Sequence, residues 1–159
     1  MANITHGTWI KDGKAVDKVF SDGKQVYGRN LVTGTSNELK TITVSGWGNS
    51  PSSRVSGIYG AGRYYASAYI ENTTPVLITL YVSVYVGSKF IYNVSGKAIP
   101  AGQSGAISFT FDIFEGQSFP SAFVGFTSSQ TESYTYKYKE MMITRTPSSW
   151  SPAPEDILN

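Results

Sequence analysis

The hydrophobic pattern along this chain repeats every two residues. Over residues 76–86, Val76, Ile78, Leu80, Val82, Val84 and Val86 are apolar, while Leu77, Thr79, Tyr81, Ser83 and Tyr85 fill the places between. Successive side chains of a strand point to opposite faces. The first row is therefore expected in a core and the second on an outer surface. Residues 106–113 repeat the pattern with Phe109, Phe111 and Ile113 on one side. Over residues 134–144, Tyr134, Tyr136 and Tyr138 are expected inward, opposite Thr135, Lys137 and Lys139. Shorter segments of the same kind occur at 41–44, 63–70, 89–94 and 122–127. Tyr65, Ser67 and Tyr69 on the segment before 76–86 are expected to share an outer face with Tyr81 and Tyr85. Breakers separate these runs: a Gly-, Ser- and Pro-rich loop at 46–62, a turn at 72–75, and Pro100-Ala101-Gly102. No helical period persists over three turns. The pattern predicts an all-β fold, a jelly-roll β-sandwich.

Residues 1–30 read as a separate small unit. Asp12-Gly13-Lys14 and Asp22-Gly23-Lys24 recur ten residues apart. Asp-Gly is a hairpin signal, because glycine accepts a positive φ without steric cost. Three short strands in a β-meander are expected, too few to be stable alone. Their large apolar residues, Trp9, Val19, Phe20 and Tyr27, must find cover on the main domain or on a partner, so the unit is expected to dock. Residues 31–159 form the sandwich.

Composition narrows the function. The chain has 159 residues, no cysteine, one histidine and a net charge of +2. Disulfides and thiolate metal sites are excluded together. Basic residues are scattered rather than striped, which argues against nucleic acid as a partner. The start of the chain lacks the charged and apolar regions of a signal peptide. The most apolar stretch is interrupted by polar residues, so no membrane span is expected. Eleven tyrosines and eight phenylalanines suit pleated, half-buried surfaces.

Several segments carry a family resemblance. Gly28-Arg29-Asn30-Leu31 with Thr33-Gly34-Thr35, the stretch Ile99 to Gly105, Met141 to Thr144, and Trp150-Ser151-Pro152-Ala153-Pro154-Glu155-Asp156 resemble carbohydrate-binding-module-like domains. Such domains belong to tail and baseplate proteins of phages that infect Gram-positive bacteria. The paired Asp-Gly-Lys turns are similar to short modules that open phage structural proteins. The resemblance implies a jelly roll that binds host cell-wall polysaccharide, made in the bacterial cytoplasm and carried on the virion beside other virion proteins, with a homo-oligomer compatible. Many relatives carry Glu-Lys-Gly in the last strand where this chain has Met142-Ile143-Thr144. That departure argues against the structural calcium such an acid would hold, and no other cofactor is implied.

Catalysis fails on inventory. His6 is the only histidine, and it lies near the chain start, so no Ser-His-Asp arrangement is expected. Acids in the later strands stand singly, whereas glycosidases need a close carboxylate pair. The chain is therefore expected not to be an enzyme. Sugar binding needs flat rings to stack on and polar groups for hydroxyls. The candidates are Trp47, Arg54, Tyr59, Arg63, Tyr65, Tyr69, Tyr81 and Tyr85. The plainer reading of each tyrosine is a strand residue that packs its ring and wets its hydroxyl. Trp150 is expected to pack at the sandwich edge. The competing function is a purely structural virion protein, a capsid decoration or tail-surface subunit. A wet aromatic face would favour the first reading and a dry apolar patch the second.

Overall fold

The computed structural model describes residues 2–5, 8–12, 14–16, 18–21, 24–48, 53–55 and 60–158, with backbone alone for 2–5, 8–9, 15, 18–21 and 24–28. The N-terminal segment forms β1 (Ala2–Thr5), β2 (Thr8–Lys11), β3 (Lys14–Ala15), β4 (Lys18–Ser21) and β5 (Lys24–Gly28). These make a three-stranded antiparallel sheet, β1-β2-β3, and a separate hairpin, β4-β5. The expected single meander of three strands is thus two pieces. Asp12 adopts φ 51 between β2 and β3, as a tight hairpin requires. The side chains of Trp9, Val19, Phe20 and Tyr27, expected to be the unit's apolar residues, lie outside the described residues.

The main body contains β6 (Lys40–Gly46), β7 (Ser53–Arg54), β8 (Gly62–Glu71), β9 (Ile78–Val86), β10 (Lys89–Ser95), β11 (Ser104–Ile113), β12 (Gln117–Phe126) and β13 (Gln130–Thr144), then a short helix α1 (Pro154–Leu158). They form two four-stranded antiparallel sheets, β10-β9-β12-β7 and β11-β8-β13-β6. From β6 onward every connection except β9–β10 changes sheet, the jelly-roll route. β7 sits inside what reads as one long loop. It spans two residues, too few to show alternation, and Val55 after it bridges Val32.

The core lies between the sheets. Tyr64, Ala66, Ala68 and Ile70 of β8 share it with Ile78, Leu80, Val82 and Val84 of β9, and with Tyr136 and Tyr138 of β13. Tyr64, Phe111 and Phe119 pack ring against ring at 4.6–5.6 Å, within the favourable range for aromatic pairs.

Three expectations about faces need correction. Val86 is 49% exposed, because β9 has by then reached the hairpin at Gly87 and left the core. Thr79 is 1% exposed and Ser83 is also buried, although both belong to the outer row. β9 is a central strand, and its neighbours cover these short side chains: Thr79 donates to the Gly96 carbonyl at 3.0 Å and Ser83 to Asn93 Oδ1 at 2.8 Å. Third, β8 and β9 are not sheet neighbours. Residues 72–75 make a corner between sheets rather than a hairpin, so Tyr65 and Tyr69 lie on the opposite outer face from Tyr81 and Tyr85. The Asn72 side chain holds that corner, donating to the carbonyls of Val76, Ile99 and Pro100 and accepting from Thr74.

Candidate functional site

The outer face of the β10-β9-β12-β7 sheet carries two adjacent rows. Partners paired across antiparallel strands project to the same side. Arg54 pairs with Ser121, Ser121 with Ser83, and Ser83 with Asn93, giving a polar row across all four strands. Two residues along, Tyr81 pairs with Phe123 and Ser95. The Tyr81 and Phe123 rings stack with centroids 5.0 Å apart. Over them, Trp47, Tyr81, Asn93, Phe123 and Phe126 line a cleft of about 270 Å³.

Trp47 is 58% exposed, yet its backbone is fixed. It sits between Gly46 and Gly48, both at φ 63, a conformation that suits glycine. The Trp47 carbonyl accepts from Phe126 N–H at 2.9 Å. The carbonyl of Gly48 meets the buried Tyr136 hydroxyl at 2.5 Å, and that hydroxyl also lies 2.8 Å from the Val124 carbonyl. A Cβ on Gly48 would fall 2.4 Å from the Phe126 ring, and one on Gly125 2.8 Å from the Trp47 carbonyl. The close crossing of this loop over β12 therefore depends on both glycines. The indole is held outward by backbone rather than by burial of its own ring.

Tyr81 is also oriented in advance. Its hydroxyl donates to the Phe126 carbonyl at 3.0 Å, and burial pushes its pKa up, keeping it neutral. On the polar row Ser83 donates to Asn93 Oδ1. The Asn93 amide keeps further donor and acceptor capacity beyond that bond. Rings held in place beside hydroxyl and amide groups match what a pyranose offers, an apolar face and an equatorial ring of hydroxyls.

The sequence candidates distribute unequally. Trp47 and Tyr81 meet in the cleft, and Arg54 joins the polar row. Tyr85 is on the same sheet face, edge-on to Phe90 at 5.7 Å and two residues beyond the polar row. Arg63, Tyr65 and Tyr69 belong to the other sheet and are not part of this face. Arg63 makes a two-pronged contact with Asp112 at 2.9 and 3.1 Å, which holds that carboxyl below its usual pKa. Tyr69 has the Lys139 ammonium 5.4 Å from its ring centroid. Tyr65 lines a different cleft with Thr110 and Thr144. Tyr59 lies outside the described residues.

Phe123, Phe126 and Asn93 are the residues that sequence reasoning missed. Phe123 carried a signal, since it stands between the core residues Ala122 and Val124 and so must point out. Asn93 carried none.

The segments that carry the family resemblance gather elsewhere. Asn30 is fully buried, donates to the Ser151 carbonyl at 2.8 Å and accepts from Val32 and Ile143 N–H. Arg29 pairs with Glu155, and Asp156 accepts from Gly34 N–H at 3.0 Å. Entry segment, last strand and exit segment thus form one structural knot. Trp150 is half-buried in it, lining a cleft with Glu140 and Asp156. Among the described residues no group of three His, Cys, Asp or Glu is placed to hold a metal. No helix among them is long and apolar enough to cross a membrane.

No family model and no curated protein matches the chain. Among solved structures it is similar to the CBM22-1 and GH10 modules of an endo-1,4-beta-D-xylanase from Clostridium thermocellum, complexed with xylohexaose. There the identity is 16% over 80% of this chain, with a TM-score of 0.44, and the chain spans 29% of that structure's length. It is also similar to a carbohydrate binding module of Cellvibrio mixtus lichenase 5A in complex with cellotriose, at 14% identity over 75% of this chain and 92% of that one, with a TM-score of 0.37.

Proposed function

We propose that this chain is a non-catalytic saccharide-binding module whose site is the outer face of the β10-β9-β12-β7 sheet. The observation that carries this reading is the pairing of an outward-held Trp47 with the stacked Tyr81–Phe123 platform, beside the Asn93–Ser83–Ser121–Arg54 row. Such a site binds weakly one copy at a time, because association costs several kcal/mol before any contact gains. Many copies on one particle multiply avidity without new contacts.

On this reading the module rides on a phage tail, baseplate or neck, holding host cell-wall polysaccharide to aid adsorption. The N-terminal unit, residues 1–30, attaches it to other virion proteins or to further copies of itself. The virion setting rests on the sequence resemblance. The test is a fluorescent fusion of the full chain applied to host cells, with purified wall polysaccharide as competitor. Binding that the polysaccharide displaces supports the reading, and binding that it leaves untouched refutes it.

A structural virion subunit is the second reading, and one feature favours it. Val86, Phe90, Ile91 and Phe114 are exposed near the β9–β10 hairpin, beside the edge of β10 that pairs with no other described strand. An unpaired apolar edge is a surface onto which another strand can add. In that case the fusion joins virions but ignores cells.

A further inference from the structure

The two sheets differ in their acids: the first has none, whereas the second balances its acids with Lys40, Arg63, Lys137 and Lys139. Strands β7, β9, β10 and β12 contain Lys89 and Arg54 but no aspartate or glutamate, whereas the other sheet carries Glu71, Asp112, Glu132 and Glu140. The four arginines differ just as sharply. Arg29 pairs with Glu155, and Arg63 with Asp112. Arg145 lies over the Tyr64 ring at 4.2 Å and donates to the carbonyls of Gly60 and Ala61. Arg54 is exposed, and among the described residues no carboxylate pairs with it. The stretches of sequence on either side of it, 49–52 and 56–59, contain no acid.

Arg54 is also close to the platform. It pairs with Ser121, so Phe123 is its diagonal neighbour on β12, about 7–8 Å away between Cα atoms. An arginine side chain spans that distance. On its other side Arg54 borders an open cleft of about 600 Å³ with Lys40, Thr33, Thr41 and Tyr138. Lys40 donates to the Gly34 carbonyl at 2.9 Å, so its ammonium also contacts no carboxylate there. The nearby Asp156 is turned to the Gly34 N–H. Two cations and several hydroxyls thus line one cleft at β7, with no acid in its lining.

We infer that the saccharide bound on the Trp47–Tyr81–Phe123 platform is anionic, and that Arg54, with Lys40 behind it, binds its carboxylate or phosphodiester group. This rests on the saccharide-binding reading and names the ligand class of the same site. A guanidinium presents a fixed fork of donors that suits both anions, and such charge-assisted bonds are about twice as strong as neutral ones.

The test uses matched polymers that differ only in charge: oligogalacturonate against its methyl ester, and phosphomannan against dephosphorylated mannan. Affinity electrophoresis compares the full chain with Arg54→Gln and Trp47→Ala, since stacking and charge give measurable retardation whatever the linkage. The expected result is about tenfold tighter binding of at least one charged member over its neutral match. That preference should shrink with salt and disappear in Arg54→Gln. Trp47→Ala should weaken every polymer. Equal binding of charged and neutral members, or a preference that survives Arg54→Gln, overturns the anion inference, while a Trp47→Ala loss keeps the saccharide reading. Indifference to Trp47→Ala, or no retardation by any polymer, overturns that reading and this inference with it. Which charged member is preferred identifies the anion.

Discussion

Replacing Tyr136 by phenylalanine removes one oxygen atom from the point where the Trp47 loop is fastened to the core. The ring is fully buried and packs against Phe126 at 5.6 Å, contacts that phenylalanine keeps, so no cavity opens. What is lost is the hydroxyl between the carbonyls of Gly48 and Val124. Val124 belongs to the β9–β12 ladder, whereas among the described residues the Gly48 carbonyl bonds to this hydroxyl. An acceptor left unsatisfied in the interior costs about 1–3 kcal/mol. For a chain of this length each kcal/mol moves Tm by about 2–4 °C, so Tyr136→Phe should lower Tm by roughly 2–12 °C. The assay is thermal unfolding followed by near-UV circular dichroism, repeated from neutral to alkaline pH. Burial raises the Tyr136 pKa well above its ordinary 10.0. Above pH 10 the unfolded chain therefore holds fewer protons than the folded one, and stability falls as pH rises, by up to ~1.4 kcal/mol per pH unit. Below pH 10 this contribution is constant. Tyr136→Phe should flatten the alkaline decline, leaving a smaller slope from Tyr81 and Tyr134, whose pKa values are also raised. An unchanged Tm with an unchanged alkaline slope would refute the claim that this hydroxyl anchors the loop.

Further outcomes follow from the same geometry. Leu80→Ala should cost about 2–5 kcal/mol in urea unfolding. Thr79→Ala should cost about 1 kcal/mol, because it strips the Gly96 carbonyl of its donor; a neutral Thr79→Ala would mean the hydroxyl bond is not formed. Gly48→Ala should be markedly more destabilising than Gly46→Ala. Both residues have φ 63, but only at Gly48 does the added Cβ strike the Phe126 ring, and Gly46 faces open space. Equal losses in Tm would place the strain in the backbone alone. Deleting residues 1–27 should leave a folded sandwich that no longer joins virions; outright unfolding would make the N-terminal unit part of the core.

The sandwich was legible in the sequence wherever alternation ran long. Ile78, Leu80, Val82 and Val84 face inward as their spacing requires, as do Tyr136 and Tyr138. What the spacing could not reveal is which strands pair, because that depends on contacts between residues far apart in the chain. The 72–75 corner reads like a hairpin, yet Asn72 uses it to send the chain to the other sheet. That one corner separates Tyr65 and Tyr69 from Tyr81 and Tyr85. Thr79 and Ser83 were misread because alternation assigns a face and not its cover. The segments that carry the resemblance are brought together by one side chain. The Asn30 side chain ties the Ser151 carbonyl and the Ile143 N–H by buried hydrogen bonds, which replacing Asn30 would break. The candidate face has no such constraint: its residues are held by Trp47 and Gly48 backbone contacts and by strand register. Hence the sequence pointed to Trp47, Tyr81 and Arg54 by residue type, but could not bring in Asn93 or Phe123.

The most direct test of the central claim is Trp47→Ala, measured for both cell-wall polysaccharide binding and Tm beside the parent chain. The ring is mostly solvent-exposed, and its loop is held by the backbone of Trp47 and Gly48. Exposed substitutions of this kind change stability by about 0.5 kcal/mol or less, so Tm should hold. Loss of the stacking ring should remove on the order of 1 kcal/mol or more of contact energy, enough to erase a weak single-site interaction. The expected result is lost binding at unchanged Tm. Binding retained at unchanged Tm would contradict the account, because the ring would then be an exposed residue with no part in recognition.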